Sequence, residues 1–91
     1  MGHDSQNNAE ILAEAFGTVL REVRKERGLS QEDLGFESGY HRTYVSLLER
    51  GLKSPSLRTI FELARALETP ASELLACVER FTRRKPRARL R

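Results

Sequence analysis

Ser30-Gln31-Glu32-Asp33-Leu34-Gly35-Phe36-Glu37-Ser38-Gly39, followed by Tyr40-His41-Arg42-Thr43-Tyr44-Val45-Ser46-Leu47-Leu48-Glu49-Arg50-Gly51, reads as two short helices divided by a glycine turn. The Ser30 hydroxyl can accept from a free amide of the next turn while Asp33 reaches back, which is a capping box. Gly39 stops the first helix because glycine enters the left-handed region without steric cost. Val45 and Leu48, three apart, mark the buried side of the second helix, and Gly51 closes it. Two such helices lock at a steep angle only if a small residue lies between their backbones and apolar residues meet beneath them. Leu34 anchors the first, Gly35 admits the second, and Val45 with Leu48 fill the underside.

Outward from this window the helical pattern continues. Ile11, Leu12, Phe16, Val19, Leu20 and Val23 recur at helical spacing, predicting a first helix over about Ala9 to Arg27 that ends at Gly28. Ser54-Pro55-Ser56 breaks the chain and caps a fourth helix whose inner face is Leu57, Ile60, Leu63, Ala64 and Leu67. Thr69-Pro70 repeats the device before a fifth helix carrying Leu74, Leu75, Val78 and Phe81, and Pro86 ends any continuation. No segment alternates with period two, so the expected fold is all-α, a compact bundle of five helices. The expected organisation is a disordered segment over 1–8, a folded domain over 9–82 and a basic tail over 83–91.

Ninety-one residues suffice for one domain, and the lone Cys77 forms no internal disulfide. No second cysteine or histidine cluster completes a metal set, and no cofactor-binding motif is present, so neither metal nor cofactor is expected. No apolar run approaches the roughly 18 residues of a membrane span. Gln6 stands where a myristoylation signal has a hydroxyl, and lipidation is not expected. Cysteine usage fits a reducing, cytoplasmic setting. Neither a nucleophile paired with a base nor a phosphate-cradling glycine loop is present, so no enzyme is expected.

The net charge of +3 conceals an asymmetry. Arg83, Arg84, Lys85, Arg87, Arg89 and Arg91 crowd the last nine residues, leaving ten basic against thirteen acidic residues before them. An acidic body means that any attraction for a polyanion must come from a local surface or from the tail.

Arg24-Lys25-Glu26-Arg27-Gly28-Leu29-Ser30-Gln31-Glu32-Asp33-Leu34, Gly39, Tyr44-Val45-Ser46, Leu48-Glu49-Arg50-Gly51, Pro55-Ser56-Leu57 and Leu63-Ala64-Arg65-Ala66-Leu67 resemble the lambda-repressor-like, or Xre-type, helix-turn-helix proteins. That family includes phage repressors and restriction-modification controller proteins. The resemblance covers about Phe16 to Leu75. It implies a five-helix domain whose third helix enters the major groove of double-stranded DNA while the second lies across it. The function implied is transcriptional regulation, as a repressor or autoregulator, by a homodimer on a palindromic operator.

Residues of the third helix not used for the core are then the base readers: Arg42, Thr43, Ser46 and Leu47. Arg42 ranks first because its guanidinium can give two parallel donors to guanine O6 and N7. Gln31, at a helix start with free amides, suits a phosphate, and the resemblance carries Arg50, Lys53 and Ser54 over to the same task. It also implies an ion pair of Arg24 with Glu49 beneath the DNA-binding surface. Three positions depart from the family pattern: Gly35 replaces an alanine, Phe36 takes a polar place, and His41 replaces a Ser or Asp cap, weakening it while placing an imidazole near a phosphate. Leu75, Val78 and Phe81 are the expected dimer interface, with Phe61 available to either surface. The rival is a protein-interaction module of the same fold, antitoxin-like or coactivator-like, that holds a partner through Phe36, Phe61 or the fifth helix.

Overall fold

The computed structural model describes residues 2–84, with side chains over residues 8–83. The elements are α1 (Gly2–Glu26), α2 (Gln31–Ser38), α3 (Arg42–Glu49), α4 (Leu57–Ala66) and α5 (Ala71–Arg84), with no strand among the described residues. No helix among them is long and apolar enough to cross a membrane. Of the basic tail, Lys85, Arg87, Arg89 and Arg91 lie outside the described residues.

Helix α1 starts at Gly2, where a disordered segment over 1–8 and a helix from Ala9 were expected. Propagation explains the difference. Once the apolar face downstream nucleates the helix, each added polar residue costs only a few tenths of a kcal/mol, and no proline interrupts. Helix α2 stops at Gly39, which adopts φ +85° and donates its N–H to the Gly35 carbonyl.

All five helices supply the core. Leu20, Leu34, Val45, Leu48, Leu63 and Leu74 are fully buried, joined by Leu67 at the end of α4. Helix α1 packs on α3 and α5, while α2 packs on α3 and α4. The α1–α3 contact depends on Gly17: a Cβ there would lie 2.6 Å from the Glu49 carbonyl oxygen and closer still to that of Leu48. The α2–α3 crossing depends likewise on Gly35, where a Cβ would lie 2.6 Å from the Tyr40 carbonyl oxygen. The departure from alanine at Gly35 therefore has a steric cause, which offsets the lower helix propensity of glycine.

Three expectations about the apolar faces need correction. Leu57 is not buried with the inner face of α4: it is the first residue of the helix, 68% exposed, and the buried stripe begins only at Thr59 and continues through Leu63, Ala64 and Leu67. Leu12 is also exposed, on the rim of an apolar groove that it shares with Ile60 and Leu75. Val78 belongs to the core rather than to a partner surface, because α5 lies along α1 and buries it to 6% exposure. Phe81 packs half-buried against the same core, and Leu75 alone of the expected interface trio is exposed.

Candidate nucleic-acid interface

The start of α2 is built by its cap. Ser30 Oγ accepts the Asp33 N–H at 2.9 Å, and Asp33 Oδ2 accepts the Ser30 N–H at 3.1 Å. These donors, the Ser30 backbone amide first and its hydroxyl second, hold the Asp33 carboxyl below the usual carboxylate range. The cap leaves the Gln31 and Glu32 amides without a backbone or side-chain acceptor among the described residues, at the positive end of the helix.

The turn between α2 and α3 is fastened to α4. Tyr40 Oη donates to Glu62 Oε1 at 2.8 Å and lies 3.0 Å from Thr59 Oγ1, which in turn meets Ser56 Oγ at 2.9 Å. The Tyr40 hydroxyl holds the Glu62 carboxyl below its ordinary value, outweighing partial desolvation, with Arg58 and Arg65 assisting. The Tyr40 ring also leans on Tyr44 of α3, centroid to centroid 5.2 Å. His41 then caps α3: its Nδ1 accepts the Thr43 N–H at 3.0 Å. An imidazole with its acceptor nitrogen on that amide does the work of the missing serine or aspartate, so the cap is retained.

Helix α3 shows the solvent the face opposite Val45 and Leu48. Arg42 and Thr43, in its first turn, are exposed, and Ser46 and Leu47 are half-buried. Arg50, Lys53 and Ser54 follow, all exposed, as the chain leaves α3 through Gly51 at φ +74°. A Cβ on Gly51 would lie 3.0 Å from the Glu14 Cα, so this glycine serves both the turn and the approach of the loop to α1.

Beneath this face lies the most buried charge cluster among the described residues. Arg24 Nε donates to Glu49 Oε2 at 2.6 Å and Arg24 Nη2 to Glu49 Oε1 at 3.1 Å, a bidentate pair whose side chains are 9% and 3% exposed. Arg24 Nη1 donates to the Leu29 carbonyl at 2.7 Å, tying the cluster to the loop before α2. Gln31 Nε2 donates to Glu49 Oε1 at 3.0 Å. One carboxylate at the end of α3 therefore takes donors from both α1 and α2, and its charge is neutralised inside the fold.

Gln31, His41, Arg42, Thr43, Ser46, Leu47, Arg50, Lys53 and Ser54 thus lie on α2, α3 and the segments that flank α3, with Lys53 and Ser54 beside Ala9 and Ala13 of α1. Sequence reasoning missed Gly17, the Tyr40–Glu62 link and the Gln31–Glu49 bond. An isolated glycine inside an amphipathic helix is the signal that marks Gly17. The two hydrogen bonds have no local signature, because their partners lie 22 and 18 residues apart.

Residues 20–74 match the helix-turn-helix family profile. The chain is 40% identical over 70 residues to the control protein C.BamHI of Bacillus amyloliquefaciens, covering 76% of this chain and 83% of that protein. It superposes on the crystal structure of the restriction-modification controller protein C.AhdI from Aeromonas hydrophila with a TM-score of 0.67 and 48% identity, over 68% of this chain and 94% of that one. The controller protein C.Esp1396I, solved as a tetramer in complex with its natural 35 base-pair operator, aligns with a TM-score of 0.75 and 25% identity, over 80% and 96% of the two chains.

Proposed function

The chain belongs to the lambda-repressor-like helix-turn-helix family, and from that premise we propose that it is a transcriptional regulator that binds a specific sequence of double-stranded DNA. The observation that carries this reading is the exposed first turn of α3, with Arg42 and Thr43 outward, on a helix held from below by the buried Glu49–Arg24 pair. A helix offered in this way fits the width of the major groove.

In this reading Arg42 takes a guanine edge, Thr43 and Ser46 give weaker hydroxyl contacts, and Leu47 gives apolar contact. The Gln31 backbone amide, His41, Arg50, Lys53 and Ser54 bind phosphates and set the register. Chemistry plays no part: the work is recognition, carried out in the cytoplasm without metal or cofactor. The protein acts as a homodimer, which places two α3 helices on half-sites about one helical turn, or about 34 Å, apart. Its apolar surface for this is the face of α4 with Leu57 and Phe61, one turn apart and 68% and 58% exposed, together with Leu75 of α5.

Selection of bound duplexes from a random pool tests the reading. A palindrome with a guanine at matching places in both halves is expected. A pool that shows no enrichment, while the protein captures another protein through Phe36 or Phe61, supports the interaction-module alternative.

A further inference from the structure

We propose that the Gln31 side chain is a positioning residue that converts anchoring on the DNA backbone into alignment of the reading helix; the inference rests on the DNA-binding reading above. Two hydrogen-bonding parts of Gln31 have separate fates. Its backbone amide, at the start of α2, has no acceptor among the described residues, whereas its carboxamide nitrogen donates to Glu49 Oε1 at 3.0 Å. Phosphate oxygens only accept hydrogen bonds, and the carboxamide has two N–H groups, so the bond to Glu49 takes half of what the side chain can offer a phosphate. The carboxylate it holds is an anion, kept 3% exposed beneath the face where DNA would lie. One N–H of the half-buried carboxamide is therefore committed to a buried anion rather than to DNA.

The position of that bond gives it a task. The N-terminal end of α3 is fixed by close packing, because Gly35 lets the Tyr40 carbonyl and the Arg42 amide come against α2. The far end is packed on α1, where Gly17 admits the Leu48 and Glu49 carbonyls, and the Glu49 carboxylate is reached by two side chains: Arg24 fixes it to α1, and Gln31 fixes it to the first residue of α2. Phosphate contacts set a protein's orientation on the duplex, and base contacts then discriminate among sequences. Through Gln31, the end of α2 that meets the backbone is bonded to the end of α3 opposite the turn. Without the bond α3 keeps its packing on α1 and its ion pair but loses the tie of its far end to the start of α2, and base contacts that depend on the alignment of α3 with α2 suffer first.

The test replaces Gln31 with methionine, which matches its length, lacks the donor and leaves the backbone amide in place. Affinities of the wild-type and Gln31→Met proteins are measured on a duplex selected by the wild type and on a scrambled duplex of the same composition. The melting temperature of each protein is recorded as well. The expected result is a specific-to-scrambled ratio lowered about fivefold, together with a melting temperature lowered by about 4 to 8 °C, the cost of one net hydrogen bond lost from the free protein. An equal loss on both duplexes makes the carboxamide a phosphate contact and overturns the proposal. So does an unchanged ratio. If the wild type itself binds neither duplex, the DNA-binding reading fails, which is a separate result from failure of the positioning role.

Discussion

Replacing Glu49 with alanine is expected to cost about 3 to 5 kcal/mol of folding stability, because it strands a buried guanidinium. Arg24 would keep only the Leu29 carbonyl of its three acceptors, in a place where its side chain is 9% exposed. Gln31 would lose its acceptor in the same stroke. For a domain of this size, 3 kcal/mol corresponds to a fall in melting temperature of roughly 12 to 24 °C. Glu49→Gln, which keeps an oxygen acceptor for Arg24 Nε, is expected to lose less. The double variant Arg24→Ala/Glu49→Ala should lose less than the two single changes added together, since no charge is then left alone. Urea unfolding followed by circular dichroism measures all of these. A loss below about 1 kcal/mol for Glu49→Ala would mean that the pair behaves as a solvated surface ion pair, and the buried support beneath α3 would have to be abandoned.

The second large effect is on DNA. Arg42→Ala is expected to reduce discrimination at one guanine per half-site by about 1 to 3 kcal/mol, roughly 5- to 150-fold, with little change in stability because the side chain is exposed. Arg42→Lys is expected to recover affinity in part but not discrimination, since an ammonium cannot present the paired donors of a guanidinium. Binding profiles over single-base variants of the selected site read this directly. A uniform loss over every variant would place Arg42 on a phosphate and move base reading to Thr43, Ser46 and Leu47.

Much of this arrangement can be read in the sequence, and the parts that cannot share a physical cause. The capping box of Ser30 and Asp33 and the left-handed Gly39 are local, decided within four residues, and the structure forms both. The five helices follow from apolar spacing and breakers of similarly short range. What spacing leaves undecided is the centre of each buried stripe. Leu57 and Leu12 are apolar and fall within the pattern, yet each is exposed, because the packing of neighbouring helices selects which part of the apolar arc is covered. Val78 errs the other way, since α5 buries against α1 a residue that composition alone offers to a partner.

The candidate site divides along the same line. Its members on α3 are residues that the core does not use, and elimination offers them, whereas Arg50, Lys53 and Ser54 come from the family resemblance. Contacts between distant segments escape that reasoning. Gln31 reaches Glu49, and Tyr40 reaches Glu62 and Thr59, only because α2, α3 and α4 meet in space. His41 shows a third kind of gap. Its type is uncommon at a cap, but the Nδ1 lone pair is an adequate acceptor once the backbone presents the Thr43 amide.

The central claim, that an acidic body carries a local surface made for duplex DNA, is tested most directly by affinity for a selected duplex at a series of salt concentrations. Tight binding at low salt is expected, with the logarithm of affinity falling linearly against the logarithm of salt at a slope of about −3.6 or steeper, for a dimer whose Arg50 and Lys53 each neutralise one phosphate per protomer. No measurable binding even at the lowest salt, or an affinity that does not respond to salt, would contradict it.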